Sequence, residues 1–261
     1  MVDILLQLII YSFLGWCCES VYCSLGRGEW INRGFLTGPF CPIYGVGAVA
    51  ALAFLKFLPP SVLAVFFGGM VITSALEYVT SWLMEKLFNA RWWDYSKRAF
   101  NINGRVCLLN STLFGLLCLF LYFDLNPRIE QLLGMFNMDF KWGFLVAFFL
   151  YFAVDLALAV KSALGINIRL KVLTEIREEL QEKYEEWSAN AKLDFAQLEE
   201  KLLSSDIKDE LLEKLHMKQR EVGFFERRLM KSFPDMVNRS YPERLEELKN
   251  ILKKKKLENK K

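Results

Sequence analysis

Residues 77–105, EYVTSWLMEKLFNARWWDYSKRAFNINGR, decide how this chain is read. The stretch begins with a carboxylate, Glu77, inside an apolar run. It crosses a loop dense in Trp, Arg, Asp and Tyr, and ends on Arg105 where the next apolar run starts. A charged side chain at the centre of a bilayer costs about 2.5–3.5 kcal/mol even on insertion-based scales, so one kept there demands a partner or a purpose. A shorter version of the same pattern, from Glu19 to Arg33, lies upstream. The two read as halves of one polar site at the inner face of a membrane protein.

Outward from that stretch the chain divides in two. Residues 1–160 hold only ten of the 33 Lys/Arg and ten of the 30 Asp/Glu; the other 23 basic and 20 acidic residues crowd into 161–261. The first part is too apolar for an ordinary soluble domain, and the second is charged enough to be water-exposed helix or disorder. The expectation is an all-α membrane protein, a five-helix transmembrane bundle followed by a cytoplasmic helical hairpin or coiled-coil tail. Its domains are a transmembrane part, 1–165, and a charged helical tail, 166–261.

A span needs about 20 apolar residues to cross ~30 Å of hydrocarbon. The expected spans are 4–23, 42–58, 61–84, 105–123 and 142–160. Pro42 suits the first turn of the second, where its missing N–H is no loss, and Pro59-Pro60 separates the second from the third. Asn126-Pro127 ends the fourth, and the short amphipathic segment after it is expected along the interface. The first run lacks a basic n-region and a small-x-small cleavage site, so it is expected to be retained as a span.

Basic residues set the orientation. With the N-terminus outside, the inner loops hold Arg27, Arg33, Lys86, Arg91, Lys97, Arg98 and Arg105, and the outer loops hold Lys56, Arg128 and Lys141. The positive-inside rule then places the N-terminus outside and the tail in the cytoplasm. In the tail, apolar residues from Leu173 to Leu202 recur at three and four residue steps, a helical stripe. A second helix is expected from Asp206 to Leu229, and a third from the capping pattern Ser240-x-x-Glu243.

Glu19 and Glu77 each fall about 15 residues into a descending span, and each hairpin turns back through an Asn/Arg/Gly cluster, Asn32-Arg33-Gly34 or Asn103-Gly104-Arg105. This is a weak internal repeat. The binding or transport-path candidates are Glu19, Arg33, Glu77, Arg105, Asn103, Asn110 and Asp155, with Glu19 and Glu77 expected to face Arg33 and Arg105. The bland reading of such pairs is that they staple helices together. Trp92, Trp93, Asp94 and Tyr95 form an interfacial loop, more often an anchor than acid/base machinery.

Catalytic signatures are scarce. The chain has no G-x-S-x-G, no H-E-x-x-H and no G-x-x-x-x-G-K-[ST], so it does not bind ATP through a P-loop of its own. The six cysteines have no C-x-x-C spacing and the one histidine, His216, sits in the tail. No metal, no cofactor and no catalytic residue are expected, and the chain is read as not an enzyme.

Four segments carry a resemblance: Phe13-Leu14-Gly15-Trp16 with Glu19, NRGFLTGPFCPIYGVGA from Asn32 to Ala48, EYVTSWLMEKLFNARWWDYS from Glu77 to Ser96, and FNINGRVCL from Phe100 to Leu108. On these, spanning most of residues 10–115, the chain resembles the ABC transporter type IV permeases of bacteria. The resemblance implies a multi-pass inner-membrane permease with an unspecified substrate and an ATPase supplied as a separate subunit. The loop from Lys86 to Lys97 is the docking candidate by position. Five spans are few for a transport path, which favours a homodimer in the lipid bilayer, and no nucleic acid partner is expected. Two other readings stay open: a membrane enzyme acting on lipid or lipid-linked headgroups, and an adaptor whose tail recruits a soluble partner.

Overall fold

Helix boundaries follow the few residues in the apolar half that can start or stop one. In the computed structural model, which describes residues 1–25, 28–190 and 222–258, α1 runs Val2–Leu25 without a proline or an internal break. Helix α2, Pro42–Leu55, starts from an extended Cys41 with proline in its first turn. Ser61 caps α3, Val62–Phe88, its hydroxyl accepting from the Ala64 N–H at 3.3 Å, and Asn89 ends it in the left-handed conformation.

Helix α4, Leu108–Phe120, does not stop at Asn126-Pro127. It widens into a π-turn over Leu121–Leu125 and continues as α5, Asn126–Gly134. Pro127 has no N–H to give the preceding turn, and its ring would clash with the carbonyl four residues back. The wider turn, closed by the Asn126 N–H on the Leu121 carbonyl, makes room for it. Asn126 then accepts hydrogen bonds from Tyr11 Oη (2.7 Å) and Gln7 Nε2 (3.2 Å) on α1. The segment expected along the interface is thus the far end of a span, its Ile129 and Leu133 packed with Val2, Leu6 and Ile9.

Helix α6, Met138–Asn190, is 53 residues long with no proline to interrupt it. It runs through the stretch around 165 without a break. Then come α7, Phe224–Ser232, and α8, Pro242–Glu258. Four two-residue strands complete the described residues: β1, Ala90–Arg91; β2, Asn101–Ile102; β3, Val106–Cys107; and β4, Val237–Asn238. They pair antiparallel as β2 with β3 and β1 with β4. The β2–β3 turn is Asn103-Gly104, both with positive φ (53° and 67°), the pairing that a tight hairpin of this kind favours.

The expected fold is corrected on three points. Among the described residues four helical runs, not five, are long and apolar enough to cross a membrane: α1, α3, the α4–α5 run and α6. Helix α2 has 14 residues, about 21 Å at 1.5 Å per residue and short of ~30 Å. The chain is not purely helical, because the strands shape two of its loops. The third point is the tail. About half of the hairpin expected over 167–229, residues 191–221, lies outside those described; residues 167–190 continue α6, and the chain from 222 on is no separate coiled coil. Residues 222–252 fold back and share a core with the end of α3 and with α6. Leu229, Met230, Phe233, Leu245 and Leu248 bury against Phe88, Trp92, Ile166 and Leu170. Leu170, Leu229, Leu245 and Leu248 are each at most 1% exposed, and a fully buried leucine contributes ~1.5–3 kcal/mol.

Within the bundle α1 packs on α2, α5 and α6, and α3 packs on α2 and α4. The α1–α2 contact is backbone-close: a Cβ on Gly45 would overlap Ser12 Oγ and the Leu8 carbonyl. Small residues permit such approaches where helices cannot rely on the hydrophobic effect between them.

Candidate functional site

Two helices of the bundle begin part-way along their neighbours. The Cys41 N–H donates to the Ser12 carbonyl (2.9 Å), so α2 starts beside the middle of α1, which continues to Leu25. Ser74 and Ser111 share a 2.7 Å hydrogen bond, which sets the first turn of α4 level with Glu77 while α3 continues to Phe88. The connecting loops fill the space left beside the ends of α1 and α3, folding back along them to reach the shorter helices.

The first loop is held by polar side chains of α1. Trp16 Nε1 donates to Asn32 Oδ1 (2.7 Å), Asn32 Nδ2 to the Thr37 carbonyl (2.7 Å), and the Arg33 N–H to Ser20 Oγ (3.2 Å). Arg33 Nε pairs with Glu19 Oε1 at 3.0 Å. Burial opposes the Arg33 charge, and the adjacent Glu19 carboxylate more than offsets it, so the guanidinium stays above its ordinary range. Burial, then Glu19, push the Cys41 thiol well above its ordinary range.

Asp155, on α6, makes no ion pair among the described residues. Its two oxygens accept the Thr37 and Gly38 N–H groups (2.9 and 2.8 Å) and the Tyr151 hydroxyl (3.2 Å). A carboxylate holding two backbone donors organises the turn at Thr37-Gly38 as a side-chain cap would. Asp155 therefore joins the site by fastening the first loop.

The second loop takes a different pairing. Arg105 reaches past Glu77 and pairs with Glu85 at 2.7 Å, with Nη1 also donating to Ser81 Oγ (3.3 Å). Both partners are about 10% exposed at the side chain. Arg91 joins Glu85 (3.4 Å) and approaches Asp94 (3.8 Å). Glu77 receives one hydrogen bond, from the Tyr95 hydroxyl to Oε1 at 3.3 Å, and its Oε2 is buried without a partner. The expected Glu77–Arg105 pair is thus replaced by Glu85–Arg105. Asn103 Nδ2 donates to Tyr78 Oη (2.9 Å), fixing the hairpin tip against α3. Asn110 stands half-buried in the first turns of α4 and makes no side-chain hydrogen bond among the described residues.

In the Trp92–Tyr95 run the first tryptophan turns into the protein. Trp92 is 3% exposed and packs edge-on against Phe35, Phe88 and Phe233. Trp93 donates to the Arg105 carbonyl (3.0 Å). Asp94 accepts from the Ser96 N–H (2.9 Å) and hydroxyl. Burial is outweighed there by those hydrogen bonds and by Arg91 and Lys97, so the Asp94 carboxyl lies below its ordinary range. Tyr95 is the member that reaches an acid of the site. Burial first, then Glu77, Cys107 and Glu19, raise its hydroxyl far above the usual range, which places it in the field of both glutamates.

A clasp made by residues 222–252 closes the end of the bundle where the two loops lie. The Ser232 carbonyl accepts from Arg33 Nη1, Ser232 Oγ donates to the Asn32 carbonyl (2.6 Å), and Arg33 stacks 4.6 Å from the Phe233 ring. Arg228 Nη2 donates to the Phe35 carbonyl (2.7 Å). Burial lowers the Arg228 guanidinium from its ordinary range, opposed by Asp155 and Cys41. Strand β4 pairs with β1 of the second loop, Arg169 on α6 pairs with Glu226 (3.0 Å), and Asn238 bonds Asn167 (3.1 Å). One segment thereby ties both loops and α6 together.

Reasoning from the sequence missed Ser81, Glu85, Arg228, Ser232 and Phe233. The first two were within reach, since Ser74, Glu77, Ser81 and Glu85 recur at three and four residue steps on one face of α3. Nothing local marks the last three as partners of a loop 190 or more residues away.

Residues 6–160 match the family model described as "Putative ABC-transporter type IV". The match contains both loops and Asp155 and ends before the clasp. No curated protein and no solved structure matches the chain.

Proposed function

The chain belongs to the ABC-transporter type IV family, and from that premise we propose that it is the permease subunit of an ABC-type transporter, energised by an ATPase carried on a separate chain. The observation that carries this reading is the pair of part-depth helices. Both α2 and α4 start near carboxylates, the half-buried Glu19 and the buried Glu77, with non-helical chain folded over their N-termini. Transport sites are commonly built where helices are interrupted in this way, because irregular backbone at such depth is tolerated only where protein or a polar cavity satisfies it. Glu19, Arg33, Glu77 and Arg105 line the inner end of the path, with Asp155 holding the first loop in place. The N-terminus lies outside, the clasp lies in the cytoplasm of a bacterial cell, and two copies of the chain build the path.

The test is isolation of the full chain in detergent with its ATPase, followed by reconstitution in liposomes. ATP hydrolysis by the pair that responds to Glu77→Gln supports the reading. Failure of any ATPase to co-isolate with the intact chain would remove it. Protease protection of tags at the two ends checks the orientation, with the C-terminal tag cleaved only when the protease is on the cytoplasmic side.

A further inference from the structure

Among the described residues, Glu77 is the acid of the inner polar layer left without either a cation or a backbone donor. Glu19 has Arg33, Glu85 has Arg105 and Arg91, Asp94 has Arg91, and Asp155 has two backbone N–H groups. Glu77 is 7% exposed, holds one long hydrogen bond from Tyr95, and buries Oε2 with no partner. An ionised carboxylate taken out of water without a counter-charge is expensive, and structures avoid it by pairing or by neutralising the group.

The surroundings narrow what neutralises it. On its own helix the polar neighbours are Ser74, Ser81 and Glu85; Tyr95 faces it from the second loop, and Glu19 with its Arg33 from the first hairpin. The arginines that pair in that layer, Arg33, Arg91 and Arg105, are already committed to other carboxylates. A hard metal ion wants several oxygen ligands, and no three Asp, Glu, His or Cys side chains converge on one point among the described residues. The hydroxyls of Ser74 and Ser81 lie about one turn on either side, a polar track on an otherwise apolar face.

We propose that Glu77 is a proton-binding site: its carboxyl takes up a proton from water at the inner end and returns it there, with Tyr95 as its positioning residue. The step is a simple protonation, carboxylate plus proton giving carboxylic acid, and needs no further reactant. It deepens the permease reading and rests on it for any coupling to transport, though not for the binding itself.

Infrared difference spectra of the full chain in lipid nanodiscs, recorded between acid and alkaline pH, test it. The expected result is a protonated-carboxyl band that titrates as one proton per chain, is lost in Glu77→Gln and is displaced in Tyr95→Phe. Identical titrating bands in wild type and Glu77→Gln would overturn the inference. So would a band that answers to sodium at constant pH and not to pH, which would put a metal cation there. Should the glutamine variant not fold, Tyr95→Phe on glutamate-labelled protein decides alone: a displaced band supports the site and an unmoved one sinks it. Failure of the permease reading would show instead as no ATPase partner, with the band intact.

Discussion

The two hairpins of the bundle start from the same plan and finish it differently. In the first, α1 carries Glu19, the loop folds back through Asn32-Arg33, and the arginine returns to that glutamate at 3.0 Å. In the second, α3 carries Glu77 at a comparable position, the loop folds back through Asn103-Gly104-Arg105, and the arginine goes instead to Glu85, two helical turns further along. The second loop is longer and enters its turn through a β-hairpin, so its guanidinium arrives lower on the helix. The cost of that detour is a buried glutamate with a tyrosine for company. One hairpin is a closed ion pair braced by the clasp, and the other leaves its acid with a single hydroxyl donor.

That contrast can be broken in order of size. The largest effect is expected from Arg105→Ala. Both partners of its pair are nearly buried, and removing one member of such a pair costs ~3–5 kcal/mol, read as a lowered thermal unfolding midpoint in detergent. Arg33→Ala should cost less, ~2–3 kcal/mol, because Glu19 is 24% exposed and can turn to water; equal losses would mean the pairs are equivalent.

Closing the first hairpin depends on Gly45, and Gly45→Ala should cost ~1–3 kcal/mol by overlap with Ser12 and Leu8. Gly47→Ala, with nothing within 4 Å, should leave the same midpoint unmoved. Glu77→Gln is expected to shift stability by less than ~1 kcal/mol in either direction, since no cation is orphaned by it; a loss as large as that of Arg105→Ala would show that Glu77 is structurally paired. The smallest effect is a pH dependence at Asp94. Its carboxyl is held below the ordinary range in the folded chain, so its contribution is present above about pH 4 and fades as pH falls further. With the side chain about a third exposed, that amounts to a few tenths of a kcal/mol, and Asp94→Asn should abolish that part of the acid transition.

Several elements were legible because they depend on neighbours in sequence. Proline at 42 and serine at 61 mark helix starts, and the apolar run after Ser61 marks a span. Asn103-Gly104 was a readable hairpin signal that an all-helical expectation passed over. The Ser74–Glu77–Ser81–Glu85 face was equally readable, and with it the true partner of Arg105. Asn126-Pro127 was misjudged for a different reason. A proline ends a helix in isolation, whereas here α1 offers Tyr11 and Gln7 to Asn126 and a π-turn absorbs the ring.

Trp92 shows the limit most clearly. Beside an arginine and an aspartate in an inner loop it has the local signature of an interfacial anchor, yet it is buried because Phe233, 141 residues later, packs 4.8 Å from it. Hydrophobicity and helix-breaking residues act over a few positions, so a membrane protein with acidic groups late in its first and third helices could be inferred from composition and spacing. Which arginine answers which glutamate, that α2 stops short, and that the charged end of the chain clasps both loops depend on loop length, helix register and the burial of a shared core. Those are properties of the folded whole, because each is settled by side chains that meet across distances the chain itself does not encode locally.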